Sequence, residues 1–252
     1  MKVVILGGGK GTRLREETEF KPKPLVKIGD MPILWHIMKM YSHYGFKEFI
    51  LCLGYKGEMI KEFFLNFEQL ANDFTLKLRS KESKILHHSG VKLEDWTIHF
   101  VDTGLNTLTG GRIARVQHLL KDDEDFFLTY GDGVSDINMN YLYEYHKKSG
   151  KILTLTAVPF RSVYGIVESK NGSVISFKEK PPLNGRMNSG FFVCNKEIFN
   201  YLSKDESCIF EEEPMKKLAR DGKIAAYEFD GFWYAVDTYK QVGELNNLWT
   251  VN

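Results

Sequence analysis

The sequence predicts an α/β fold, with a mixed, mainly parallel sheet flanked by helices and an antiparallel subregion in its second half. Three observations carry this reading: an apolar strand running directly into a glycine cluster, a regular alternation of strand and helix patterns to about residue 150, and an Asn-Gly hairpin signal beyond it. A length of 252 residues suits one domain. An apolar fraction of 43% and a charged fraction of 27% are those of an ordinary globular chain.

Residues 3–6 form an unbroken apolar run, as in strands buried on both faces of a parallel sheet, and then meet Gly7, Gly8 and Gly9. Pro32 opens a helix that places Ile33, Ile37, Met40, Tyr41 and Tyr44 on one face and stops at Gly45. A second apolar strand covers 49–53, and a helix follows over 58–67. The alternation continues with a strand at 97–101, a helix carrying Ile113, Val116, Leu119 and Leu120, and a strand at 126–130. Asp132 falls just beyond that strand. In open α/β sheets ligands bind outside the carboxyl ends of strands, where this Asp and the glycine loop would meet.

Past residue 153 the pattern changes. Segments 164–168 and 174–179 flank Asn171-Gly172, a hairpin signal, so this part is read as antiparallel. A strand at 191–194, a helix over about 212–220 stopped by Gly222, a strand near 225–229 and a helix near 242–249 complete the expectation.

A net charge of +1 gives no general attraction to nucleic acid or to an anionic membrane, so recognition of phosphate has to come from a local site. Cys52, Cys194 and Cys208 are widely spaced and odd in number, and read as buried reduced thiols. The first apolar run is too short for a signal peptide, and no run approaches the roughly 18 apolar residues of a membrane span. A cytoplasmic protein without a membrane partner is expected.

The local site begins at the glycine loop. Gly7, Gly8, Gly9, Lys10, Gly11 and Thr12 let backbone N–H groups approach an anionic phosphate chain, and Arg13 adds a charged fork. A P-loop is excluded because Gly11, not Ser or Thr, follows Lys10. A dinucleotide fingerprint is excluded because Thr12 or Leu14 stands where its third glycine belongs. Lys21 and Lys23 are interleaved with Pro22 and Pro24, which stiffen the segment; it reads either as a solvated basic loop or as two aimed ammonium groups. Asp132 and Asp237 lie at apparent strand ends, as turn residues or as the isolated carboxylates that magnesium prefers.

The run from Leu6 to Leu14, followed by Pro22-Lys23-Pro24-Leu25, resembles the two-part signature of the sugar-phosphate nucleotidyltransferases, with Gly7 replacing the family's usual alanine. That resemblance implies their Rossmann-like nucleotide-diphospho-sugar transferase fold. It assigns Arg13 and Lys23 to the triphosphate and Asp132 and Asp237 to Mg²⁺. Leu6, the glycine loop and Gly131 would bind nucleotide. Glu179 and Lys180 would take the sugar and its phosphate, with Asn188 and Gly190 in the same pocket. Residues 1–150 would be mainly the nucleotide-binding part and 151–252 mainly the sugar-phosphate part. The segment Asp102 to Arg112 lacks the Gln-Pro-x-Gly pattern of thymidylyl and uridylyl transferases, and resembles instead the branch that joins CTP to glucose 1-phosphate. By that likeness Thr107 and Arg112 are the candidates for reading cytosine. A homo-oligomer and a product used in dideoxysugar synthesis are further implications. The rival readings are the same reaction with dTTP or UTP, and a catalytically silent nucleotide-sugar sensor.

Overall fold

The computed structural model describes residues 1–14, 19–77, 84–87, 93–162 and 164–251. Seven strands form one sheet: β1 (Val3–Leu6), β2 (Glu48–Leu53), β3 (Thr97–Asp102), β4 (Asp125–Tyr130), β5 (Leu153–Arg161), β6 (Pro182–Asn195) and β7 (Ile224–Glu228). Their spatial order is β7-β5-β6-β4-β1-β2-β3. The four strands of the first half, β4-β1-β2-β3, are mutually parallel. The long β6 then runs antiparallel to both β4 and β5, while β7 returns parallel to β5.

The second half is therefore not wholly antiparallel, because its last strand re-enters the sheet by a crossover. The hairpin itself forms as expected, from Ile166–Lys170 and Ser173–Lys178. Asn171 at φ 52° and Gly172 at φ 81° supply the two left-handed residues of a type I′ turn. The strand β5 had no sequence expectation. Pro159 interrupts its pattern, and lies beyond Ala157, the last residue paired with β7, where a missing N–H is tolerated at the sheet's local edge.

The helices are α1 (Ile33–His43), α2 (Gly57–Leu65), α3 (Phe67–Ala71), α4 (Thr109–Arg115), α5 (Met139–Ser149), α6 (Glu213–Arg220) and α7 (Tyr239–Val251). Side-chain alternation sorts the sheet into two buried layers. Val3, Ile5, Phe49, Leu51, Phe127 and Phe191 face α1, α5 and α7; Val4, Ile50, Cys52, Phe126, Leu128 and Phe192 face α4 and α6. Each large side chain removed from water in this way contributes about 1.5–3 kcal/mol. The helix expected through Leu120 ends at Arg115 and tightens into a 3₁₀ turn at Gln117–Leu119, which still buries Val116 and Leu120. Gly45 at φ 89° and Gly222 at φ 64° follow the ends of α1 and α6 as anticipated. Among the described residues no helix is long and apolar enough to cross a membrane. Cys52 and Cys194 are buried, whereas Cys208 is only half-buried. Burial pushes the Cys52 thiol up to about 12.

Candidate active site

The carboxyl ends of β1 and β4 open on a cleft of about 320 Å³. It is lined by Leu6, Gly7, Gly8, Gly9, Gly11 and Thr12 from the glycine loop, by Lys23, by Thr107 and Arg112, and by Gly131 and Asp132. The structure thus gathers eleven of the sequence candidates around one space. Lys10 does not line it; its ammonium reaches Asn106 Oδ1 at 3.3 Å. Arg13 stands in the 3₁₀ turn Thr12–Leu14, and its side chain lies outside the described residues.

Lys23 opens a second 3₁₀ turn, Lys23–Leu25, entered from an extended Pro22 and closed by Val26 N–H on the Lys23 carbonyl at 3.0 Å. This aims its ammonium between two carboxylates, 2.6 Å from Asp132 Oδ2 and 2.8 Å from Asp237 Oδ1. The companion Lys21 does not line the cleft. Asp132 and Asp237 meet because a ribbon of Gly133–Ser135 with Trp233–Ala235 pairs Gly133 with Ala235, and Val236 N–H donates to the Asp132 carbonyl at 2.9 Å. Asp132 is thereby placed one residue outside that ribbon and Asp237 two. The N-terminus of α7 fixes Asp237 further: Gln241 Oε1 accepts from the N–H groups of Asp237 at 2.8 Å and Thr238 at 2.9 Å. The Gln241 N–H returns to Thr238 Oγ1 at 3.3 Å, completing a capping box.

Arg112 has a role its motif did not announce. Its buried guanidinium ties three neighbouring strand ends, donating to the carbonyls of Leu53 at 2.8 Å and Gly8 at 3.0 Å and to Thr103 Oγ1 at 2.7 Å. A Cβ on Gly8 would come within 2.2 Å of that guanidinium, and one on Gly54 within 2.6 Å, so both positions require glycine. Burial lowers the Arg112 pKa, offset in part by nearby Cys52. Thr107 is likewise buried, and its Oγ1 accepts from Arg115 at 2.8 Å. Both side chains are engaged within the protein, an arrangement that favours shaping the wall over reading a base edge.

The proposed sugar-phosphate residues form a separate group that does not line this cleft. Glu179 and Lys180 are exposed at the foot of the hairpin ribbon, and Lys180 holds φ 46° directly before Pro181. Such a conformation is costly for a non-glycine residue and is characteristic of functional segments. Asn188 Oδ1 accepts the Gly190 N–H at 2.9 Å. Gly190, at φ 83°, packs so close to Tyr130 that a Cβ would lie 2.4 Å from the ring. The cleft wall also includes Pro24 of the second motif, together with Leu108, Thr109 and Tyr130, to which the sequence reading gave no site role. Tyr130 ends a buried strand and reads as core; in the structure it pairs with Leu6 of β1, packs against the second apolar layer and lines the cleft.

A glycine-cradled cleft at the carboxyl ends of parallel strands, lined by Lys23 and Asp132 with Asp237 reached through the Lys23 ammonium, defines a phosphate-handling nucleotide enzyme. The chain belongs to the Nucleotidyl transferase family, whose match spans residues 2–252. It is 48% identical to a probable glucose-1-phosphate cytidylyltransferase of Bacillus subtilis and 46% identical to the glucose-1-phosphate cytidylyltransferase of Salmonella typhimurium, in each case over 99% of this chain and 96% of the relative. Among solved structures it resembles a putative glucose-1-phosphate thymidylyltransferase from Bacillus anthracis, with TM-score 0.71 and 15% identity over 98% of this chain and 94% of that one. HddC from Yersinia pseudotuberculosis gives TM-score 0.70 and 22% identity, with 98% and 99% covered. These structural likenesses establish the fold, a mainly parallel sheet of the nucleotide-diphospho-sugar transferase type.

Proposed function

We propose that this chain transfers CMP from CTP to α-D-glucose 1-phosphate, giving CDP-glucose and pyrophosphate. The near-complete likeness at 46–48% identity to cytidylyltransferases supports the choice of both substrates. The convergence of Lys23, Asp132 and Asp237 beside the glycine loop supports the chemistry.

An oxygen of the sugar phosphate attacks the α-phosphorus; the new P–O bond forms as the bond to the β-phosphate bridging oxygen breaks, and that oxygen leaves with pyrophosphate. The phosphate monoester carries its negative charge near neutral pH, its second pKa being about 6, so no general base is needed. The residues therefore work by placing charge and holding the groups in line. Backbone N–H groups of the glycine loop cradle the triphosphate, and Lys23 and Arg13 offset its charge. Asp132 and Asp237 suit Mg²⁺: two carboxylates already converge on one cation, the Lys23 ammonium, and would hold the ion together with phosphate oxygens and water. When bound there, the ion supplies positive charge to the departing pyrophosphate. The nucleotide is assigned mainly to residues 1–150 and the sugar phosphate mainly to 151–252, with Glu179, Lys180, Asn188 and Gly190 on the sugar side.

The three free cysteines fit a reducing cytoplasm. Self-association into a homo-oligomer is proposed from the hairpin ribbon, whose Val167, Val174, Ile175 and Phe177 are each more than half exposed. Pyrophosphate release measured over CTP, dTTP and UTP with several hexose 1-phosphates tests the assignment. Preference for CTP with glucose 1-phosphate is expected. Equal turnover of all pyrimidine nucleotides would refute the base assignment, and nucleotide-sugar binding without turnover would favour a silent sensor.

A further inference from the structure

Behind the cleft wall stands Glu211, just before α6 and outside both motifs. It does not line the cleft, yet its carboxylate accepts the protons of two residues that do: Thr109 Oγ1 at 2.6 Å and the Tyr130 hydroxyl. Both donors come from the first half of the chain, and Glu211 from the second. The surrounding backbone is laced together, with Leu108 N–H on the Glu206 carbonyl at 2.8 Å and Gly110 N–H on Cys208 at 2.9 Å. Phe210 N–H also donates to Thr109 Oγ1 at 2.9 Å. Burial, reinforced by the negative charge of Glu211, pushes the Tyr130 phenol well up, so it stays protonated with one proton to give. Gly190 packs against the ring, where a Cβ would lie 2.4 Å away.

A hydroxyl has a single proton, and once it is donated the oxygen can only accept. We infer that Glu211 is a positioning residue that fixes the hydrogen-bond polarity of this wall, making the Tyr130 and Thr109 oxygens acceptors for a sugar hydroxyl of the bound substrates. That hydroxyl belongs either to the ribose of the nucleotide or to the hexose. The inference rests on the reading of the cleft as the substrate site.

Glu211→Gln keeps the side chain's size but adds an N–H₂ group, which obliges one of the two hydroxyls to turn its proton into the cleft. The experiment compares kcat/KM of wild type and E211Q for CTP, 2′-deoxy-CTP and 3′-deoxy-CTP, and for glucose 1-phosphate and its monodeoxy analogues. Wild type is expected to lose about tenfold on the one analogue that lacks the recognised hydroxyl, the worth of one hydrogen bond. E211Q loses a similar factor with the complete substrates but nothing further with that analogue. The ribose or hexose arm in which this non-additivity appears identifies the source. Tyr130→Phe, which deletes one acceptor and leaves Glu211 in place, serves as the second variant and shows the same non-additivity if Tyr130 is the main acceptor; Thr109→Ala does so if Thr109 is. Independent, multiplying penalties in all three variants, or wild-type kcat/KM in E211Q with the complete substrates, would overturn the inference. A wrong nucleotide or sugar would instead show as a failure of the wild-type enzyme before any variant is made.

Discussion

Two residues illustrate how far local chemistry decides this site. Lys23 places a positive charge where the two carboxylates would hold a metal, so a divalent cation has to displace it. K23M is therefore expected to bind Mn²⁺ without nucleotide more tightly than wild type in calorimetric titration, while turnover falls by about 10²-fold or more with the loss of a charge at the phosphates. Unchanged Mn²⁺ affinity would mean that the ammonium does not compete. The glycine loop gives a sharper contrast. Gly8→Ala drives a methyl against the buried Arg112 guanidinium and should cost about 1–3 kcal/mol, the range for overpacking. Gly9→Ala meets nothing within 4 Å and should leave the melting temperature unchanged while altering nucleotide KM. Thermal melts of the two variants decide this. The glycine loop was legible in the sequence because residue type and spacing mark it, whereas Lys23, Asp132 and Asp237 stood out only by resemblance to the family, local sequence leaving a solvated loop and turn residues equally open. Tyr130, Thr109 and Glu211 were not legible, since their contacts join segments 81 and 102 residues apart.

At the scale of elements, the amino end of β4 carries a polar cluster remote from the cleft. Asp125 is almost fully buried, hydrogen-bonded to Lys147 at 2.8 Å and Asn195 at 2.9 Å, with His146 of α5 at 3.5 Å. Burial works against its charge, but Lys147, Asn195 and His146 outweigh that and hold its pKa below the ordinary value. Burial lowers His146, with Asp125 opposing. Both groups bind protons more weakly folded than unfolded, so the unfolded chain takes up protons first and folding stability falls with pH. The His146 contribution is complete above its ordinary value of 6.5 and declines below it. The Asp125 contribution is lost only as pH drops under its ordinary 3.8 toward the lowered folded value. Melting temperatures between pH 7.5 and 5 should fall, and His146→Gln should flatten that slope; an equal slope in the variant would place the acid sensitivity elsewhere. Elements were most readable where one pattern dominated, helical spacing in α1 and an unbroken apolar run in β1. The reading missed β5, because a proline that would break an interior strand is harmless at a position with one neighbour.

For the whole molecule, β6 is the decisive strand. It joins β4 of the first half to β5 of the second, so the proposed nucleotide and sugar parts share one sheet and two apolar layers. A single cooperative transition in scanning calorimetry is expected, with the calorimetric and van't Hoff enthalpies equal. Two resolved transitions would show that the halves melt separately. That topology was only partly legible, since a hairpin signal reports its own two strands and says nothing of where the next one docks.

The meeting of Lys23 with Asp237 spans 214 positions of sequence. On the ribosome, a growing chain has its glycine loop and first carboxylate long before the second carboxylate emerges. The ribbon strand that leads to Asp237, residues 233–235, comes just before it, and Gln241 of the capping box just after. On the proposed assignment of the two carboxylates, a nascent chain that has not yet reached Gln241 is catalytically silent, however completely its glycine loop has folded.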